Sequence, residues 1–143
     1  MVLRKNSAFT MMEILVVLII IGALMAILGP KVSEMFLGSK KSTTKLKMAG
    51  IKDSLLRYNN DMGHFPSEAE GGLRALVELP RGLSSEKAQR WQGPYAKGED
   101  ALEDAWKVDF EYLVGKNNLR EKNKHTYYEI ISTGSGEDII DGV

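Results

Sequence analysis

One apolar segment near the amino terminus constrains the fold of this chain more than any other feature. From Ile14 to Leu28, fifteen consecutive residues carry no charged or strongly polar side chain. As a helix rising about 1.5 Å per residue, this run covers about 22 Å, less than the roughly 30 Å hydrocarbon core of a bilayer. Counted from Phe9 to Gly29, twenty-one residues cover about 31 Å and cross that core, but this places Glu13 inside the membrane.

Three interpretations fit this segment. The basic Arg4 and Lys5 ahead of an apolar core are typical of a secretory signal, although no Ala-x-Ala cleavage site follows the apolar run. An uncleaved membrane anchor explains the length of the apolar segment but does not explain why Glu13 lies within it. A carboxylate costs about 2.5–3.5 kcal/mol at the centre of a membrane helix. The third interpretation is therefore an anchor in which Glu13 has a partner or a function.

Composition restricts what the rest of the chain does. The 143 residues contain nineteen basic and nineteen acidic side chains, so no net charge favours nucleic acid as a partner. The chain has no cysteine, which excludes disulfides, thiol catalysis and thiolate metal sites. About 113 residues follow Pro30, enough for one small domain. An enzyme on a membrane anchor is a further alternative, but no nucleophile, phosphate-binding or dinucleotide motif is recognisable.

After Pro30 the sequence predicts that the helix continues and then packs under a domain. Gly29 and Pro30 are expected to kink it, because proline removes a backbone donor. Residues 38–45 are polar all round, typical of a solvated helix or a flexible joint; the alternative is a patch that binds an anionic surface. An apolar stripe at helical spacing then follows, before a predicted stop at Gly63. The stripe consists of Met48, Ile51, Leu55, Tyr58 and Met62.

The segment after Gly63 predicts short helical elements. Ser67 and Glu70 have the spacing of a capping box, and the apolar residues that follow predict a short second helix ending near Pro80. Residues 81–107 are predicted to form a loop, with one helical turn beginning at Ser85.

Two strands are predicted near the carboxyl end. Phe110, Tyr112 and Val114 alternate with Glu111 and Leu113, and residues 126–132 are rich in β-branched and aromatic side chains. We expect a small antiparallel sheet that packs one face on the long helix and leaves the other face in water. The sequence therefore predicts an α+β fold.

The residues around the start of the apolar run carry a resemblance to a known family. Residues 7–13 read Ser-Ala-Phe-Thr-Met-Met-Glu. This segment resembles the processing site of type IV pilins and type II secretion pseudopilins, in which a prepilin peptidase cuts before the apolar segment and methylates the new amino terminus. The resemblance implies cleavage between Ala8 and Phe9, with N-methylation at Phe9, and makes Glu13 the fifth residue of the mature chain. Ala8 stands where the family usually has glycine.

A second pattern, over residues 58–80, is more specific. It consists of a tyrosine, Asp-x-Gly-x-aromatic-Pro, then Gly-Leu-x-Ala-Leu and a proline. This pattern is similar to that of the major pseudopilin of type II secretion. The matching residues are Asp61, Gly63, Phe65, Pro66, Gly72, Leu73, Ala75, Leu76 and Pro80.

The resemblance implies a type IV pilin-like fold and a domain organisation. Residues 1–8 are the leader peptide, and residues 9–30 are the membrane and filament-core segment. Residues 31–62 continue the same long helix, and residues 63–143 form a periplasmic head. In this fold the long helix, embedded in the membrane over its first half, packs against a small antiparallel sheet.

The carboxyl end contains a glycine-rich, acidic segment, residues 132–141, that we interpret as a loop. Oxygen ligands close together in sequence suit a hard cation such as calcium. Major pseudopilins carry a calcium site here, so the resemblance implies weak calcium binding by Glu137, Asp138 and Asp141. Ser135 or Gly136 stands where the family has its first aspartate. In the alternative, the loop is held by its own turns and by bonds from aspartate to backbone.

The resemblance implies a structural subunit without catalytic activity. Such a subunit polymerises through its amino-terminal helix into a pseudopilus that pushes folded proteins across the outer membrane. The implied partners are other copies of the chain, minor pseudopilins, the prepilin peptidase, the inner-membrane secretion platform, and membrane lipid before assembly. The implied location is the bacterial inner membrane, crossed once with the head in the periplasm, and then the periplasmic pseudopilus. The alternatives are a subunit of another type IV filament (an adhesive pilus, a competence filament or a minor pseudopilin) and a membrane-tethered binding module.

Overall fold

The computed structural model describes residues 9–115 and 127–142. The predicted leader, residues 1–8, and most of the connection between the two predicted strands lie outside the described residues. Contacts divide the chain into two compact units, Met1–Gly38 and Ser39–Val143. The elements are helices α1 (Met11–Met62) and α2 (Ser85–Arg90), strands β1 (Glu111–Val114), β2 (Tyr128–Ser132) and β3 (Ile139–Gly142), and 3₁₀ turns at Glu68–Glu70, Gly72–Leu76 and Glu99–Leu102.

Helix α1 includes the polar segment 38–45, as the helical interpretation predicted, but Thr44 in this segment is completely buried and not solvated. Pro30 lies inside α1. The helix ends where predicted, because Gly63 adopts a φ of +79°, a left-handed conformation that favours glycine. The Gly63 N–H donates to the Asn59 carbonyl at 2.8 Å, which satisfies one carbonyl of the last turn.

The second half of α1 forms one side of the buried core in the second unit. All five residues of the predicted stripe are buried, Leu55 and Tyr58 completely. They belong to one apolar cluster with Leu76 of a 3₁₀ turn, Ile130 of the sheet and Phe110, which directly precedes β1. Packing a helical stripe against an antiparallel sheet confirms the predicted α+β, pilin-like fold class.

The sheet has the order β1-β2-β3, and both pairs of strands are antiparallel. Tyr112 pairs with Ile130, and Ile131 pairs with Ile140. The prediction of a loop throughout 132–141 was wrong, because residues 139–142 return along β2 as a third strand. The prediction of a wet face was also wrong at β2, where all five residues are buried.

The second helix predicted after Ser67 is instead a pair of 3₁₀ turns. Gly71 has a φ of +96° and Gly72 a φ of +58°, and this left-handed pair interrupts a regular helix. The predicted partnership of Ser67 with Glu70 is correct, because the Glu70 carboxylate accepts from the Ser67 N–H and from the Ser67 hydroxyl, both at 2.9 Å. The single turn predicted from Ser85 is confirmed as α2.

Candidate assembly site

A reciprocal pair between Thr10 and Glu13 closes the first turn of α1. The Glu13 N–H donates to the Thr10 hydroxyl at 3.2 Å, and the Thr10 N–H donates to the Glu13 carboxylate at 3.4 Å. This capping-box arrangement satisfies backbone donors that the start of a helix leaves unpaired. The role of Thr10 was not predicted, although the spacing Thr-x-x-Glu carries the signal in the sequence.

The part of α1 that follows exposes its apolar surface on every side. All residues from Phe9 to Lys40 are exposed, and none from Ile14 to Leu28 has a charged or strongly polar side chain. By length and composition this helix is able to cross a membrane. A helix suits that environment because it satisfies its own backbone hydrogen bonds. An exposed apolar surface of this size marks a site that lipid or other protein covers.

Phe9 and Glu13 lie close together in sequence at the beginning of this surface. Phe9 precedes α1 by two residues and its side chain is 77% exposed, while Glu13 lies in the first turn. Ala8 lies outside the described residues. Cleavage between Ala8 and Phe9, methylation at Phe9 and the assembly role of Glu13 all stay predictions.

The residues predicted to bind calcium lie around the turn between β2 and β3. The Glu137 carboxylate is 2.9 Å from the Lys41 ammonium on α1, and this hydrogen-bonded pair holds the pKa of Glu137 below its usual value. Asp138 lies in the turn and Asp141 in β3, where its backbone pairs with Ile130.

The described residues give no independent support for a calcium site here. Within residues 9–115 and 127–142, no three histidine, cysteine, aspartate or glutamate residues form a group able to hold a metal ion. Calcium prefers six to eight oxygen ligands, commonly several carboxylates. Here a lysine already neutralises Glu137. Calcium binding by Glu137, Asp138 and Asp141 remains a prediction from the resemblance alone.

The comparisons with known proteins define the class of this chain first. Residues 3–29 match the family model described as the prokaryotic N-terminal methylation motif. Together with the exposed apolar helix and the α+β head, this match defines a membrane-anchored, pilin-like protein. Residues 31–140 match the family model described as type II secretion system protein G. The chain belongs to this protein G family.

Curated relatives agree with the family match. The chain is 34% identical over 111 residues to the type II secretion system core protein G of Pseudomonas aeruginosa, covering 78% of this chain and 75% of that protein. It is 30% identical over 134 residues to the Escherichia coli K12 core protein G, covering 91% of this chain and 82% of that protein. It is 30% identical over 115 residues to the Vibrio cholerae core protein G, covering 78% of this chain and 73% of that protein. No solved structure gave a significant match.

Proposed function

We propose that this chain is a structural subunit of the type II secretion pseudopilus and polymerises through α1 to push folded proteins across the outer membrane. The observation that carries the proposal is the apolar helix, exposed on all sides, with Glu13 in its first turn. In a filament, neighbouring helices replace lipid around this surface. The match of residues 31–140 to protein G supports a secretion filament over an adhesive pilus or a competence filament.

Maturation begins with removal of residues 1–8 by a prepilin peptidase. Hydrolysis of the Ala8–Phe9 peptide bond consumes one water, leaves a carboxylate on Ala8 and frees the amine of Phe9. A methyl group from a sulfonium methyl donor then replaces one hydrogen of that amine; the donor leaves as a thioether and the hydrogen as a proton. Alanine is the smallest side chain after glycine, so we expect cleavage to proceed, but more slowly than with glycine at position 8. The match of residues 3–29 to the methylation motif supports this step.

Glu13 then sets the register of the filament. Its carboxylate pairs with the Phe9 amine of a neighbouring subunit inside an apolar layer. Desolvation of two charges is costly, and the pair offsets part of that cost. A slip by one residue leaves both charges unpaired, so the pair specifies position more than it adds net stability. The hydrogen bond from the Thr10 N–H holds the carboxylate at the helix start and supports this role.

The subunit occupies two locations in turn. Before assembly it crosses the inner membrane once, with residues 9–30 in lipid and the head in the periplasm. After assembly it belongs to the periplasmic pseudopilus. The proposed partners are other copies of the chain, minor pseudopilins, the prepilin peptidase and the inner-membrane secretion platform. The exposed apolar helix supports both the lipid and the filament environment.

Intact mass and amino-terminal sequencing after co-expression with a prepilin peptidase test the maturation step. We expect a chain that starts at Phe9 and carries one added methyl group. An inactive peptidase is the control and leaves the full-length chain. Ala8→Gly is the matched variant, and we expect it to be processed faster. If both the wild type and the Ala8→Gly variant stay full-length with active peptidase, the proposal is contradicted.

A further inference from the structure

A buried carboxylate joins the turn between β2 and β3 to the segment after the third 3₁₀ turn. Asp104 is completely buried. Its Oδ1 accepts from the N–H groups of Trp106 at 2.8 Å and Val108 at 3.0 Å. Its Oδ2 accepts from the Ser132 hydroxyl at 2.7 Å and the Gly134 N–H at 3.1 Å. A carboxylate offers about four acceptor sites, so protein donors occupy all those of Asp104.

The turn approaches Asp104 so closely that only glycine fits at position 134. A Cβ added to Gly134 overlaps the Oδ2 atom of Asp104 and comes within 2.8 Å of the Trp106 Cβ. Such approaches require the neighbours to shift, and both neighbours are held by the hydrogen bonds to Asp104. The absence of a side chain at Gly134 is therefore part of this contact.

Helix α1 provides a second attachment for the same region. The Lys41 ammonium lies 2.9 Å from the Glu137 carboxylate, at the far side of the turn from Gly134. Three residues further along α1, the buried Thr44 hydroxyl accepts from the Ala105 N–H at 3.1 Å, next to Asp104. Both ends of the network are thereby fixed to one stretch of helix.

We propose that Asp104 and the Lys41–Glu137 ion pair close the turn at residues 133–138 without a bound cation, so that this turn is ordered independently of calcium. The Lys41 ammonium supplies the positive charge at Glu137. Asp104 is not available as a metal ligand, because its acceptor sites are filled. This proposal concerns the unit Ser39–Val143 alone and does not depend on the proposed filament function.

Amide hydrogen exchange of the full-length chain in detergent micelles tests the proposal. We compare residues 133–138 in chelator and in millimolar calcium, and expect exchange rates that agree within about twofold. Asp104→Asn is expected to speed exchange in the turn by at least about tenfold, because a hydrogen bond to a charged acceptor is lost. Asp109→Asn, at an exposed aspartate nearby, is the matched control and leaves exchange unchanged.

Two further variants keep the test decisive if Asp104→Asn unfolds the head. Ser132→Ala removes one donor to Asp104 and is expected to speed exchange by about two- to tenfold. Lys41→Ala is expected to speed it by up to about fivefold, whereas Lys41→Arg and the exposed-site control Lys45→Ala retain the wild-type rate. Calcium that slows exchange in the wild type by tenfold or more overturns the proposal. So do wild-type exchange rates in both Lys41→Ala and Ser132→Ala.

Discussion

Glu13 combines two roles that single substitutions separate. Its carboxylate accepts from the Thr10 N–H within the chain, and we propose that it pairs with the amine of a neighbouring subunit. Glutamine keeps the hydrogen-bond acceptor of the capping box but loses the charge. We therefore expect Glu13→Gln and Glu13→Leu to insert into the membrane as well as the wild type or better. Filament yield, counted by electron microscopy and by cross-linking, is expected to fall at least about tenfold, since a buried charge is left unpaired.

Glu34→Gln is the control for this prediction, because Glu34 is an exposed acid on the same helix beyond the membrane segment. It is expected to assemble normally. Wild-type filaments from Glu13→Leu contradict any role in assembly. Normal filaments from Glu13→Gln, with none from Glu13→Leu, contradict the charge pair and leave only the capping role.

Asp104 gives the head a stability that depends on pH. Burial raises the pKa of this carboxyl, but hydrogen bonds from the Ser132 hydroxyl and from three backbone N–H groups outweigh burial and bring the pKa below its usual value. A depressed folded pKa stabilises the fold above the unfolded pKa of about 3.9, and this contribution is lost as the pH falls through the folded pKa. At pH 7 we expect Asp104→Asn to lower the free energy of unfolding by about 2–3 kcal/mol.

Urea unfolding of wild type and Asp104→Asn between pH 7 and pH 2.5 measures this effect. The difference between the two chains is expected to be constant near neutral pH and to shrink below about pH 4. Asp109→Asn again serves as the control. A difference that does not change with pH shows that the variant perturbs packing and not the charged hydrogen bonds.

At the scale of elements, two neighbouring leucines distinguish the core face of α1 from its exposed face. Leu55 is completely buried, whereas Leu56 is 47% exposed. Truncating a buried leucine leaves a cavity, so Leu55→Ala is expected to lower the free energy of unfolding by about 2–5 kcal/mol. Leu56→Ala is expected to lower it by less than about 0.5 kcal/mol. Chemical unfolding of both variants checks the assignment, and similar losses from the two would contradict the register of the helix.

Local signals in the sequence predicted most elements of this fold. The apolar stripe on α1 could be predicted because its spacing is helical over fifteen residues. The end of the helix could be predicted because glycine suits the conformation that Gly63 adopts there. The strand β3 could not be predicted from the sequence. Residues 139–142 are too short to show alternation, and they become a strand only because β2 offers an unpaired edge.

The candidate sites show the same limit. Glu13 was predicted as a site residue because a charge in an apolar run conflicts with its surroundings. Thr10 was not predicted, although it begins the Thr-x-x-Glu motif of a capping box. Asp104 was not predicted as a site residue. Its four donors come from residues 106, 108, 132 and 134, and no sequence pattern shows that the last two meet the first two.

At the scale of the whole molecule, the two compact units carry separate tasks. The unit Met1–Gly38 contributes the exposed apolar helix, and among the described residues the buried core lies in Ser39–Val143. A substitution at Glu13 is therefore expected to change assembly without changing the stability of the head. A substitution at Asp104 is expected to change the stability of the head without changing assembly. Effects at independent sites usually add.

The separation predicts that the second unit folds by itself. A chain of residues 39–143 loses no core residue and keeps Lys41, Thr44 and the full buried stripe of α1. We expect it to be soluble without detergent, because the exposed apolar surface of residues 9–37 is gone. Its melting temperature, followed by circular dichroism, is expected to lie within about 4–8 °C of that of the full-length chain in micelles, the shift that about 1 kcal/mol produces. Leu55→Ala in the shortened chain is the control and must melt lower. A shortened chain that is helical but lacks a cooperative transition would show that the first unit or the membrane contributes to the folding of the head.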